Sequence, residues 1–393
     1  MKRTYILDRR KFILLGTAAT IATTGGCVLT RPTSFGLTSP LVPEAERAAT
    51  LENMRPPKRQ RPVIAVLADN MGSETTDFVI PWSVLKRSGV ADVYAVATDL
   101  APVRLVPAMK LQPELSIEQF SEKFPDGADY VIVPAFHDPK SAKAVRWIKE
   151  QDQTGAIAIG ICAGAIPLAH AGLLDGKRAT THWYSRKDLK RISSTLIEAP
   201  DRRFVADHRL ITTTGVSASL PLALSLVEAI SDTATADALA MELGAGDYNQ
   251  SHASGNYRMT ANFAARIGVN TIAFLGHEHL GIEIADGVDE LSLAFVTDAW
   301  SRTYKSRCHT VSDAAEVTSL NGLTIIPDKS HAEASRLKML PKLNVLPGQA
   351  LDLVLDQIES RYSRSTASIV AVQLEYPWRR PLVRNVQGST SER

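Results

Sequence analysis

Cysteine is scarce in this 393-residue chain: Cys27, Cys162 and Cys308 are the only three. That number excludes a disulfide-built scaffold. A surplus of one charge is also missing, since 44 basic against 42 acidic groups give a formal +2. The first 26 residues hold five bases and one acid, which leaves the rest of the chain near −2. A mildly acidic chain is a poor binder of phosphate backbones. What is present, 45% hydrophobic and 22% charged residues, is ordinary for a folded protein and excludes wholesale disorder, a collagen-like rod and a polytopic membrane protein. The length suits two domains with real cores.

The N-terminus reads as an address. Arg9 and Arg10 precede Phe12-Ile-Leu-Leu and a mild apolar run from Ile13 to Thr24, which has about half the residues a membrane span needs. Residues 1–26 therefore resemble a twin-arginine export signal, which a receptor reads and which implies folding before transport. Thr24-Gly-Gly-Cys27 looks like a lipoprotein cleavage box, although Thr24 stands where Leu is usual, so lipidation of Cys27 and plain cleavage nearby both stay open. The expected location is the periplasm or cell envelope, with membrane contact only through a lipid on Cys27. Residues 27–61, with five prolines and no apolar periodicity, read as a tether.

Val63-Ile-Ala-Val-Leu-Ala, Val93-Tyr-Ala-Val-Ala, Tyr130-Val-Ile-Val and Ala156-Ile-Ala-Ile-Gly-Ile are short apolar runs separated by helical stretches, the first of which reads as a helix from Asp77 to Ser88. Such alternation predicts an α/β fold with a doubly wound, mostly parallel sheet covered on both faces, closing near residue 232. Residues 233–277 read as a helical connector. Gly244-Ala-Gly246 there lacks the preceding strand and third glycine of a phosphate cradle, and His277-Glu-His279 lacks further ligands, so no metal site or cofactor is expected.

Spacings then recur. Val103 to Pro113-Glu114 matches Val317 to Pro327-Asp328, and the step from Pro134 to Cys162 matches that from Pro347 to Glu375. Residues 278–378 read as a truncated, degenerate copy of the first α/β unit, with a strand expected at Ile369-Val-Ala-Val and a tail at 379–393. In this copy Glu375 takes the cysteine's place, and Leu291 or Ser292 that of Asp77.

The chemistry candidate is Gly160-Ile-Cys162-Ala-Gly164-Ala, an apolar strand running through a small-residue turn into an apolar helix. This is the setting of a nucleophile elbow, at the carboxyl edge where open α/β sheets bind ligands. Amides at the helix start are expected to lower the Cys162 pKa. The competing reading is a buried core cysteine, which is also the reading for Cys308.

Residues 62–232 resemble the ThiJ/PfpI superfamily, the flavodoxin-like, class I glutamine-amidotransferase-like fold. The segments that carry the resemblance are Glu74-Thr-Thr-Asp77-Phe-Val-Ile-Pro81, Val131-Ile-Val-Pro134, Ile159-Gly-Ile-Cys162-Ala-Gly164, Gly176-Lys-Arg-Ala-Thr-Thr-His182-Trp183 and Thr213-Thr-Gly215-Val-Ser217. The Thr-Thr-His-Trp segment and Asp77 look most like the branch holding isonitrile hydratase and the sensor domains of some AraC-type regulators. The resemblance implies that Asp77 faces Cys162 as a proton carrier; a helix N-cap is the local alternative for Asp77. It further implies oxyanion or binding roles for the Ala135 and Ala163 amides. His182 either lines the pocket or is a satisfied histidine at a strand end.

Two departures stand out: Ala163 replaces the histidine of the peptidase-like members, and Ala135-Phe136 replaces Gly-Gly. The first function class is thus cofactor-free, cysteine-dependent hydration or hydrolysis of a small electrophilic molecule. The second is a non-catalytic small-molecule sensor or binding module of the envelope. A DNA-binding regulator is disfavoured, because 233–393 reads as a repeat instead of a helix-turn-helix pair. Family members commonly pair as homodimers, so the second copy is expected to dock on the first as a pseudo-dimer within one chain.

Overall fold

The computed structural model describes residues 37–378 except 274 and 275. The Arg9-Arg10 segment, Cys27 and the 379–393 tail lie outside the described residues.

The four apolar runs form the centre of a seven-stranded sheet: β1 (Val63–Ala68), β2 (Asp92–Ala97), β3 (Leu115–Ser116), β4 (Tyr130–Val133), β5 (Ile157–Gly160), β6 (Phe204–Asp207) and β7 (Leu210–Thr213). The order is β6-β7-β5-β4-β1-β2-β3, parallel throughout except for the β6–β7 pair. Every residue of β1, β4 and β5 is buried, as expected of parallel strands covered on both faces.

Residues 37–61 are more than a tether. Their prolines bracket a proline-free stretch that forms α1 (Glu44–Asn53), starting directly after Pro43. This helix is anchored to the domain: Arg47 donates to both carboxylate oxygens of Glu228 at 2.7 Å, and the Tyr130 hydroxyl donates to the Met54 carbonyl at 2.7 Å. Helix α2 (Thr75–Ser88) begins two residues earlier than its apolar face suggests, because Glu74 caps it by accepting from the Asp77 amide. Gly89 ends it with φ +69°, a conformation that favours glycine. Beyond the elbow lie α3 (Ala165–His170), α4 (Ser219–Ile230) and the connector helices α5 (Thr233–Leu243) and α6 (Ala261–Ile272). Gly244 is the left-handed cap of α5.

A second, three-stranded parallel sheet has the order β9-β8-β10, with β8 at Glu278–Glu283, β9 at Ser306–Val311 and β10 at Lys338–Met339. Helix α7 (Glu290–Ser301) joins its first two strands, and α8 (Ala350–Arg361) follows. The strand expected at Ile369-Val-Ala-Val is instead part of a helix, α9 (Arg364–Gln373), capped by Ser363 accepting from Thr366 N. Residues 366–373 are all buried, and a wholly buried apolar run carries no period that separates helix from strand.

The two parts share one hydrophobic core. Helix α2 is buried over Thr75 to Leu85 because the sheet and helices α4 and α7 pack around it. Buried Ser83 donates to Glu290 at 2.6 Å across that contact. The hairpin Val103–Val106/Lys110–Leu111 and the hairpin Val317–Thr318/Thr324–Ile325 also join, antiparallel, through Leu111 and Ile325. The stretches that align in sequence thus meet in space, and the spacing that relates Val103 to Val317 also relates Leu111 to Ile325.

Candidate functional site

The turn after β5 holds Cys162 at φ +56°, a left-handed conformation that is strained for a residue with a Cβ. Its backbone is tied on both sides: the Cys162 amide donates to the Thr213 hydroxyl at 2.9 Å, and Thr181 donates to the Cys162 carbonyl at 2.8 Å. Ile161 N donates to Val133 O at 2.9 Å, continuing the β4–β5 ladder into the turn. Gly164 is required by close approach, since a Cβ there would stand 1.9 Å from the Val133 carbonyl oxygen.

Asp77 lies one turn into α2 and is completely buried, so the N-cap reading is corrected: Glu74 holds the cap. Its Oδ2 accepts from the Ala135 amide at 3.2 Å, while Oδ1 is shielded from solvent with no hydrogen-bond partner. Burial, and after it the negative charge of Glu74, pushes the Asp77 carboxyl well above the usual carboxylate range, which favours its protonated form. The Ala135 amide is committed to Asp77 in this state, unlike the oxyanion donor expected for it. The Ala163 amide faces the cysteine and is a group that favours the thiolate.

The expectation of a lowered Cys162 pKa is overturned. Burial pushes the thiol up, and the carboxyl groups of Asp77, Glu74 and Glu375 push it further, outweighing the Ala163 amide. Cys162 is only 7% exposed. Cys308 is buried in β9, with its thiol likewise raised by burial.

The second half reaches into this site. Arg302, just after α7, bonds through Nη2 to Glu74 and through Nε to Asp298 Oδ2 at 2.7 Å, all three being buried. Glu375, at φ +51° after α9, turns its carboxylate between the Trp183 amide (2.7 Å) and His252 Nε2 (2.8 Å). Gly215 makes room for it, since a Cβ on Gly215 would stand 2.8 Å from Glu375 Cγ. Although burial opposes it, hydrogen bonds from His252 and from the Trp183 amide hold the Glu375 carboxyl below its ordinary value. His182 is buried and satisfied: Nε2 donates to the Gln373 carbonyl at 3.0 Å, and Nδ1 accepts from Tyr184 N at 3.3 Å. Burial lowers its pKa, so it is a neutral structural histidine.

The Glu375 latch leads to a prediction. Glu375→Ala should loosen the junction between the second half and the Cys162 site and raise the Cys162 iodoacetamide labelling rate at pH 8 about tenfold or more, leaving Cys308 unchanged. A depressed folded pKa makes the latch fully effective above about 4.5 and weakens it as pH falls through the lowered value. Equal labelling rates in variant and parent, measured by mass spectrometry, would remove Glu375 from that role.

Sequence reasoning noted Glu375 but gave it no role, and it missed Glu74, Arg302, Asp298 and His252. The first was readable from its place three residues before Asp77, the capping-acid position. The spacing of Asp298 and Arg302 is that of a helical ion pair, but nothing local points to Glu74, 228 residues from Arg302. His277 donates to the Asn270 carbonyl at 2.9 Å, a structural role, and among the described residues no group of three or more His, Cys, Asp or Glu can hold a metal ion.

The domain that holds this strained cysteine and buried acid is similar in sequence to known proteins. Residues 62–229 match the DJ-1/PfpI family, and the chain carries a DJ-1/PfpI-family domain. The isonitrile hydratase of Pseudomonas putida is 29% identical over 171 residues, covering 42% of this chain and 72% of that protein. The HTH-type transcriptional regulator CdhR of Pseudomonas aeruginosa is 32% identical over 143 residues, covering 35% of this chain but only 41% of the regulator. Among solved structures, a ThiJ/PfpI family protein from Pseudomonas syringae aligns at 26% identity and a TM-score of 0.42 over 46% of this chain and 74% of that one.

Proposed function

We propose that this chain is an exported protein whose Cys162–Asp77 pair adds water to a small electrophilic carbon without a cofactor, in the manner of an isonitrile hydratase. The observation that carries the reading is a strained, buried thiol within electrostatic reach of a buried carboxyl group whose protonated form is favoured. Burial favours the neutral form of both groups, which suits a relay. Asp77 gives its proton to the substrate carbon as the sulfur bonds to that carbon, and takes the thiol proton in exchange, leaving a neutral thioimidate. Water then adds to the same carbon, and the sulfur leaves as thiol with a proton returned through Asp77, releasing a formamide. The 29% identity to isonitrile hydratase over the same domain supports this reaction class.

Export follows from Arg9-Arg10 ahead of the apolar run, with Cys27 a candidate lipid anchor. The second half is read as a degenerate repeat that replaces a partner subunit, a reading supported by the Leu111–Ile325 pairing and by Arg302 and Glu375 entering the site.

The test is direct. Purified protein incubated with an alkyl isonitrile should yield the formamide by NMR, Cys162→Ser should lose at least about 10³-fold, and Asp77→Asn at least about 10²-fold. No formamide from the parent protein, or turnover that survives Cys162→Ser, sinks the enzymatic reading. A second reading, an envelope sensor, is favoured by the burial of Cys162, which is only 7% exposed, and it predicts ligand binding without turnover.

A further inference from the structure

A cavity of about 170 Å³ lies away from Cys162, where the first domain, the connector and the C-terminal helices meet. Leu220, Leu224, Phe295, Leu351 and Pro377 give it an apolar wall. Arg203 enters it from the start of β6, its backbone fixed by Arg203 N donating to Gln250 O at 2.7 Å and by Thr214 N donating to Arg203 O at 2.8 Å. The guanidinium Nε is shielded from solvent and has no hydrogen-bond partner.

The other polar side chains around the cavity are occupied. The Tyr248 hydroxyl donates to Asp237 at 2.6 Å, the Ser217 hydroxyl donates to the Glu375 carbonyl at 2.6 Å, and Tyr376 is bonded to Asp352. Asp247 stands exposed at the rim without forming an ion pair to Arg203. Burial weakens the hold of Arg203 on its charge, which the more distant Tyr257, Tyr376 and Asp247 offset only in part. Buried charges are ordinarily paired, and an arginine fork matches a carboxylate with two parallel hydrogen bonds. An arginine whose Nε is shielded and without a hydrogen-bond partner beside an apolar wall therefore has an obvious complement.

We propose that this cavity binds a small organic monocarboxylate, with the carboxylate on Arg203 and the hydrocarbon body against Leu220, Leu224, Phe295 and Leu351. An apolar cavity of roughly 150 Å³ is known to hold benzene, so a single ring or a short branched chain fits the space. Asp247 at the rim selects against a second negative charge. The site does not depend on the chemistry of Cys162, and Tyr376 and Pro377, which line it, directly follow Glu375.

Calorimetric titration of the full chain with phenylacetate tests this. Saturable binding is expected, weakened at least tenfold by Arg203→Met and by Leu220→Trp, which fills the cavity from a half-buried position and leaves the arginine in place. Neither 2-phenylethanol nor succinate should bind comparably. Absence of saturable phenylacetate binding, equal affinity for 2-phenylethanol, or affinity unchanged in Leu220→Trp would overturn the proposal, even if Arg203→Met fails to fold.

Discussion

Replacing Arg302 with methionine should lower the unfolding free energy by ~3–5 kcal/mol, the usual cost of stranding buried charge. Arg302 is the cation between buried Glu74 and buried Asp298, and it ties the second half of the chain to the cap of α2. The loss should depend on pH. Burial raises the Asp298 carboxyl to about 7, against the pull of Arg302, so the folded protein holds a proton there that the unfolded chain releases near 3.8. This group's contribution to stability is therefore most favourable below about 3.8 and declines as pH rises towards 7. Without Arg302 the two carboxyls lose their common partner and that decline steepens. Urea titrations should show variant and parent closer at pH 5 than at pH 8; a deficit independent of pH would mean that lost packing alone explains it. Arg302→Lys keeps the charge but not the fork that spans both acids, and should fall between the two.

Gly164→Ala should be as damaging, by a steric route. The added methyl would stand 1.9 Å from the Val133 carbonyl oxygen, a backbone atom of a central strand that cannot rotate away. Either β4 moves or the elbow unwinds, and the penalty should exceed ~3 kcal/mol, among the larger effects of a single substitution. The expected result is little soluble protein, or a melting temperature lower by many degrees in whatever is recovered. Gly160→Ala, whose Cβ would meet Ala165 N at 2.8 Å, should be harmful to a lesser degree. A soluble Gly164→Ala protein of parental melting temperature would show that the strand and the elbow are looser than their packing suggests.

How far the sequence could be read depended on the range of the interaction. Strands β1, β2, β4 and β5 are short all-apolar runs with helices between them, and so announce a parallel sheet without reference to anything distant. The turn at Cys162 is legible because Gly160 and Gly164 sit where a strand must fold sharply into a helix. Helix α9 is not, because burial on all sides removes the period that would separate it from a strand. Helix α1 was hidden among prolines that turn out to mark its two ends. The thiol's raised pKa lay beyond reach for another reason. The helix-start amides are local, while two of the acids that oppose them, Glu74 and Glu375, lie 88 and 213 residues away along the chain.

The joining of the two hairpins through Leu111 and Ile325 has a consequence for how this molecule behaves on dilution and how it can vary. When two separate copies meet at such a contact, the meeting weakens as the protein becomes scarce, and every substitution is made on both sides at once. Here the contact closes within one polypeptide, at an effective concentration fixed by the connector and not by abundance. A substitution then falls on one side only. That freedom lets Leu111 and Ile325 each change without the other.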